Sequence, residues 1–472
     1  MNSSMSKEEL VGVKALKANR APLTIAKAGP LSFGTLMVIY FCIVLVPYGL
    51  GLASQHVSYR GWYTELVTIL SMAGFAMMLA QFFLSGRLEG LSSKTGVDNG
   101  MLLHRKVGES LALLFLFHPL LIVLPRFWIN SAFAVDDLIL LFTESLTATG
   151  FYAWSLMIVW VLMAMFKDKL GMSYEAWRIS HGIGAIAIAI LATDHVITIG
   201  RHGHYDEWFD WFWIALCTAA VSALVYTYFI RPRQSSKKPF RVVGCEKAGR
   251  SDWYLTVEKE GDFDFEFEAG QFVWLNTSGN PYDRSEHPFS IATSPAELPK
   301  ISFIIRALGD YTSNLGNIEI GQRAYLDGPH GVFTLSGRKA NGIALIAGGA
   351  GIGPIMGILR QLRDIGDPRP VRLIYGNQTI DQMVLQDEIA AMSENEFMDF
   401  EQMLVLTQPP ESFNGHKGVM DRNILEKVFC STDRDEWDYY LCGPEIMVKA
   451  VEKTMKDMQI PQHRIIFEKL GF

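Results

Sequence analysis

HRKVGESLALLFLFH (residues 104–118) and HGIGAIAIAILATDH (residues 181–195) each begin and end on histidine, with the same 14-residue step between imidazoles. An α-helix turns about 100° per residue, so 14 steps end about 40° short of four turns and leave both rings on one face. At about 1.5 Å of rise per residue, the rings stand about 21 Å apart along the axis. Both stretches lie in apolar surroundings, where an ionisable side chain is costly and is usually kept for function.

Working outward, six apolar runs are near the length a bilayer requires, at roughly 31–53, 62–84, 104–124, 138–166, 179–199 and 208–230. The first follows a polar, Lys-dotted start without a small-residue cleavage site and reads as an anchor rather than a signal peptide. One antiparallel span separates the third run from the fifth, so these two are parallel. His104 then faces His181 at the inner level, and His118 faces His195 at the outer level. Two facing imidazoles at each level suit the axial positions of b-type haem iron. The plainer alternative is packing or hydrogen bonding between helices. A shared zinc fits poorly, because imidazoles 14 residues apart cannot converge on one ion and no third ligand is evident. Gly108, Gly182 and Gly184 sit near the inner pair and would leave room for a porphyrin or for close helix packing.

Basic residues orient the spans. Seventeen Lys and Arg fall in the tail 1–30, the even loops and the stretch after the sixth run; Arg60, Arg126 and Arg201 are the three on the other side. That bias places both termini and the second half in the cytoplasm, with the spans in the plasma (inner) membrane. The 472 residues are 49% apolar and 19% charged, with net charge −7 and mean hydropathy +0.17. These averages exclude a disordered or fibrous chain, and the acidic balance argues against nucleic acid as a partner. Five cysteines with no CxxC suggest neither a disulfide framework nor a cysteine zinc site.

After RPRQSSKKPF (231–240), read as a stop-transfer flank and linker, no run is long enough to span. Residues 239–338 alternate in short strands with Gly, Pro and Asn turns, as in a small antiparallel β-barrel. Within them lie HPFSIAT (287–293) and RALGDYTSNL (306–315), the latter running into a helix whose start, with Thr312 and Arg306, suits a pyrophosphate. From 340 onward strands alternate with helices in a doubly wound α/β pattern. GGAGIGP (348–354) follows an apolar strand and opens a helix, so bare backbone can approach a diphosphate, although its spacing departs from GxGxxG. Cys442, in YLCGP (440–444), would otherwise be a buried free cysteine at a strand end.

HPFS, GDYT, GGAGIGP and CGP occur here in the order of the ferredoxin-NADP reductase superfamily. Preceded by six spans with paired histidines, the chain resembles the NADPH oxidase and ferric reductase family over about 31–472. The resemblance implies a cytoplasmic tail (1–30), a six-span di-haem membrane domain (31–235), an FAD-binding β-barrel (236–338) and an NAD(P)H-binding α/β domain (339–472). It implies that His287, Pro288, Phe289, Ser290, Ile291, Ala292 and Thr293 line FAD, with Arg306, Gly309 and Thr312 at its phosphates. Gly348, Gly349, Ala350, Gly351, Ile352, Gly353 and Pro354 would hold the nucleotide diphosphate. Cys442, Gly443 and Pro444 would lie by the nicotinamide, and the terminal Phe472 would cover the flavin face. Electrons would then pass from NAD(P)H to FAD, to the His104/His181 haem, to the His118/His195 haem and out to an acceptor.

Two points stay open at this level. Gln378 stands where an Arg would favour NADPH, which leans to NADH unless Arg372 or Lys417 supplies the charge. Oxygen-reducing relatives resemble one another in a polar or cationic group beside the outer haem, and Ile122 occupies one common position for it. Arg60, Arg126, Arg201, His202 and His204 cluster on that side, where they would favour superoxide or an anionic ferric chelate. O2 reduction is the leading expectation. Ferric-chelate reduction, electron donation to a partner protein and a non-catalytic redox sensor are the alternatives; an accessory protein is not implied.

Overall fold

The computed structural model describes residues 33–53, 59–84, 97–167, 169–200, 207–394, 398–429 and 433–467. The tail 1–30, Arg201, His202, His204 and Phe472 lie outside them.

The first half is helical and apolar. Its helices are α1 (Phe33–Ala53), α2 (Trp62–Ala80), α3 (Val97–Phe127), α4 (Ser131–Thr143), α5 (Ala148–Phe166), α6 (Tyr174–Ile199) and α7 (Glu207–Val225). A π-turn at Tyr226–Ile230 then leads into α8 (Arg231–Ser235). Five helical segments among the described residues are long and apolar enough to cross a membrane: Trp62–Ala80, Gly100–Phe127, Ser145–Phe166, Glu175–Ile199 and Glu207–Ser235. Within α1 the apolar run Met37–Ala53 falls short of that length. The interior is narrow. Phe75 and Trp213 meet at 4.9 Å between ring centroids, while Val38, Ile43, Leu113, Ile183 and many other apolar side chains face outward. So much exposed apolar surface is what lipid covers.

Two expected boundaries move. The apolar run 138–166 divides at Glu144, which leaves the helix in an extended conformation. Its front part belongs to α4, started by Asn130 accepting from the Ala132 and Phe133 N–H groups. The stretch 231–240 is no free linker: α8 is helical, and Arg231 is buried against Asp327 at 2.6 Å. Proline leaves its mark on α3. Pro125 has no N–H to give the Leu121 carbonyl, and the Tyr63 hydroxyl of α2 donates to that oxygen instead at 2.7 Å.

The second half has two sheets. The first contains β1 (Phe240–Lys247), β2 (Asp252–Lys259), β3 (Phe272–Asn276), β4 (His287–Ser290), β5 (Lys300–Arg306) and β6 (Arg323–His330). All its pairings are antiparallel, in the order β4-β3-β6-β1-β2-β5. Ile291, one residue past β4, pairs with Phe303 of β5 and brings the two edges together. Phe240, Val242, Leu255, Val257 and Phe303 fill the interior. A short helix α9 (Asp310–Ser313) follows β5. The expected helix after GDYT is thus a single turn.

The second sheet is parallel, in the order β10-β9-β8-β7-β11-β12. It comprises β7 (Ile343–Gly348), β8 (Val371–Asn377), β9 (Phe400–Leu406), β10 (His416–Lys417), β11 (Asp438–Cys442) and β12 (Ile465–Phe467). Helices α10 (Ile352–Ile365), α11 (Gln386–Ser393), α12 (Arg422–Val428) and α13 (Glu445–Asp457) accompany it. Every residue of β7 is buried, as expected for a central strand covered on both faces. The chain leaves β7 toward β8, then returns to β7's other side as β11. Between β7 and β11, therefore, the strand order reverses, the place where open α/β sheets take their ligands.

The halves are joined by charge and packing. Arg178 of α6 donates to Glu286 at 3.1 Å, Arg231 pairs with Asp327, and Met101 of α3 packs on Phe272 and Trp274.

Candidate functional site

At the inner level, His104 of α3 and His181 of α6 face each other with ring centroids 6.3 Å apart. A metal held between two imidazoles needs about 2 Å per bond, which places the ring centres about 6 Å apart. The separation fits such a group. His118 and His195 lie 14 residues further along the same two helices. Gly150 of α5 lies against the His195 ring: a Cβ there would fall 2.3 Å from Nδ1. No larger residue fits that cradle. Among the described residues the Nδ1 atoms of His181 and His195 are buried without a partner, whereas those of His104 and His118 meet the Gln81 carbonyl and the Ser71 hydroxyl, each at 3.3 Å. No cluster of three His, Cys, Asp or Glu suited to another metal occurs among the described residues. Of the glycines expected to make porphyrin room, Gly184 receives the Trp160 ring instead, and a Cβ on Gly182 would meet Tyr228. Only Gly108 has open space.

The inner pair lies toward the reductase half. Trp177 packs 5.0 Å from His181, and two residues before it Glu175 reaches within 4.0 Å of His287 on β4. Ser173 starts that helix by accepting from the Ala176 N–H, which sets where Glu175 and Trp177 fall.

β4 carries HPFS in register with β3: His287 opposite Leu275, Pro288 opposite Trp274, Phe289 opposite Val273 and Ser290 opposite Phe272. The His287 ring is 4.3 Å from Tyr311, which also stacks on Phe289. Tyr311 donates to or accepts from Thr277 at 2.8 Å, and burial pushes its phenol up to about 12, so it stays neutral. Among the described residues Ser290 Oγ has no partner and is buried, a donor left for a ligand along this aromatic wall. The next three residues turn inward. Ile291, Ala292 and Thr293 are core side chains, and the N–H groups of Ile291 and Ala292 bind the Gln271 and Ser302 carbonyls. Arg360 of α10 takes the Ala292 carbonyl at 2.8 Å.

The His287 imidazole is held below its ordinary 6.5 by burial, against the opposing pull of Glu175 and Glu286. The unfolded chain therefore takes up this proton first as pH falls, and stability is lost from about pH 6.5 downward. Thermal unfolding of the protein from about pH 7 to 5 will show this loss, and His287→Gln will flatten it. Identical slopes in both proteins would refute it.

Arg306 ends β5 and grips Asp252, its cross-strand partner, with Nε at 3.0 Å and Nη2 at 3.1 Å. Its remaining nitrogen points at the glycine turn of the second sheet: a Cβ on Gly349 would meet Nη1 at 2.5 Å. Thr312 Oγ1 accepts from Leu308 N at 2.9 Å and Gly309 N at 3.0 Å, so the first amide of the GDYT run is engaged within the turn.

GGAGIGP leaves β7 as Gly349–Gly351 and enters α10 at Ile352, with Gly353 and Pro354 in its first turn. Gly349 has φ +54°, and a Cβ on Gly351 would fall 2.3 Å from the Cys442 carbonyl oxygen. The two turns at the switch point thus touch backbone to backbone. Cys442 is buried beside Ala347, and Met447 lies over Gly348 and Gly443. Arg372 is excluded as a nucleotide contact: it lies at the amino end of β8, paired with Asp399 at 2.8 Å and Glu401 at 3.4 Å. Lys417 is exposed and sits beside Leu406 at the carboxyl end of β9, near the end of β8 that Gln378 follows. Of the basic cluster expected on the outer side, Arg60 is exposed and Arg126 pairs with Asp137.

Sequence reading missed Ser71, Gly150, Trp177, Asp252, Tyr311 and Met447. Ser71 carried a signal as a polar residue inside a span; the others acquire meaning only through the fold.

Three family models match in chain order: a ferric reductase like transmembrane component over 70–192, an FAD-binding domain over 244–332 and an oxidoreductase NAD-binding domain over 345–453. Among curated proteins, the chain is similar to the reductase component of propane 2-monooxygenase from Gordonia sp. (strain TY-5). The two are 32% identical over 208 residues, 43% of this chain and 59% of that protein. The corresponding protein of Mycolicibacterium goodii is 29% identical over 43% of this chain and 59% of its own length. NADH-cytochrome b5 reductase 2 of Chaetomium globosum is 30% identical over 35% of this chain and 48% of that protein. The chain spans about half to three-fifths of the length of these relatives.

Proposed function

We propose, on the premise that this chain has the architecture of the NADPH oxidase and ferric reductase family, that it moves electrons across a membrane. They pass from NADPH or NADH through FAD and two b-type haems to an acceptor on the outer side. The acceptor we assign is O2, giving superoxide, with a ferric chelate as the alternative. Flavin supplies the conversion of a hydride pair into single electrons, which haem iron carries one at a time.

The observation that carries the reading is the pair of facing imidazoles on α3 and α6 at 6.3 Å. His104 and His181 hold the inner haem, and His118 and His195 the outer one. His287, Pro288, Phe289 and Tyr311 wall the flavin, with the Ser290 hydroxyl donating to it; Arg306 and the Gly309–Thr312 turn lie at its phosphates. Gly348 to Pro354 receive the nucleotide diphosphate, and Cys442, Gly443 and Pro444 border the nicotinamide, with Phe472 assigned to the flavin face. We read α1 as a sixth span and the edge-joined antiparallel sheet as a closed barrel. The boundaries 1–30, 31–235, 236–338 and 339–472 follow, with both termini on the cytoplasmic side of the plasma membrane, as the basic residues direct.

Purified full-length protein supplied with FAD and haem tests this. NAD(P)H will reduce a b-type haem spectrum under anaerobic conditions. In air it will reduce cytochrome c in a way that superoxide dismutase suppresses. Dismutase-insensitive reduction of ferric chelate would instead assign the alternative acceptor. A dithionite-reduced spectrum without b-type haem would overturn the scheme.

A further inference from the structure

The two helices of the histidine pairs are treated differently by their neighbours. Both α3 imidazoles are engaged at Nδ1 by groups from α2 and the turn that ends it, and neither α6 imidazole has a partner there among the described residues. Ser71 of α2 makes two contacts: 2.6 Å to the Val67 carbonyl and 3.3 Å to His118 Nδ1. A serine hydroxyl has one proton. The carbonyl can only accept, so that proton goes to Val67 and Ser71 Oγ accepts from His118. The proton of His118 is then fixed on Nδ1, and Nε2 keeps its lone pair. At the inner level the Gln81 carbonyl enforces the same tautomer on His104 at 3.3 Å.

We propose that Ser71 is the positioning residue of the outer haem: by accepting the His118 Nδ1 proton it fixes the ligating tautomer and makes Nε2 a stronger donor to iron. This rests on the di-haem reading above. A hydrogen bond at the far nitrogen of a ligating imidazole raises its basicity, and losing such a partner typically costs about 10–100-fold in metal affinity or activity. A more basic ligand favours ferric over ferrous iron, so removing the bond makes the outer haem easier to reduce. The inner haem, held through a backbone carbonyl, is untouched.

The test is a potentiometric titration of the full-length holoprotein, following the two b-type haems by absorbance. Ser71→Ala will move one of the two reduction waves to more positive potential and leave the other in place. Ser71→Thr, which keeps the hydroxyl, will return it. Thr68→Ala, which removes the same kind of bond to the carbonyl one turn back (Thr64) at 2.8 Å without touching an imidazole, will move neither. Selective loss of one haem in Ser71→Ala, restored in Ser71→Thr, supports the proposal equally. Two bound haems with both waves unmoved, or both moved together, overturn it while leaving the di-haem reading standing. Unmodified protein that binds no haem pair overturns both.

Discussion

Replacing His118 with alanine will halve the haem content and reduce electron delivery to any outer acceptor to background, while NAD(P)H-driven reduction of ferricyanide persists. His118 and its partner His195 form a level of their own, about 21 Å along the helix from the inner pair, so losing one imidazole leaves His104 and His181 facing each other. Losing only an outer-shell partner of a ligand costs about 10–100-fold; losing the ligand itself costs more. Local packing does not change this expectation. The Phe115 ring lies 6.0 Å from that of His118, and alanine is the best helix former. Haem content by pyridine haemochrome, with the two reduction assays side by side, checks the prediction. Unchanged delivery to the outer acceptor in His118→Ala would mean that the outer pair is packing and not ligation.

How much of this could be read from the sequence differs between the two halves. The imidazole levels were legible because helical geometry converts a 14-residue repeat into a face and a height without tertiary information. The glycine turn after β7 and the CGP turn after β11 were each weak alone, and it is parallel pairing that brings Cys442 opposite Ala347 and the turns into contact. What the sequence could not carry was partner choice. Arg306 was read as a free cation for phosphate, because nothing local shows that Asp252 lies opposite it across two strands. Ile291 to Thr293 were placed at the flavin by the family resemblance, and nothing local shows that their side chains enter the core after Ser290. The break at Glu144 was hidden by apolar residues on either side, since hydropathy averages over a single extended residue that ends a helix.

Arg306→Ala will strongly destabilise the reductase half. Asp252 is 2% exposed, and its carboxylate depends on the two-pronged bond from Arg306. Removing the cation leaves a buried charge uncompensated, a loss of about 3–5 kcal/mol, or on the order of 10 °C in the unfolding of a unit this size. Arg306→Lys keeps the charge without the fork and will fall between. The same guanidinium also points at Gly349, so a strut and a phosphate contact both predict loss of FAD. The double variant Arg306→Ala with Asp252→Asn separates them. Replacing both partners removes the stranded charge and recovers most of the melting temperature. If Arg306 serves only as a strut, FAD retention returns with it. If Arg306 also holds phosphate, as assigned here, the double variant will melt near the parent protein and still lose its flavin on dilution. Full FAD retention in that stable double variant would remove Arg306 from the binding site.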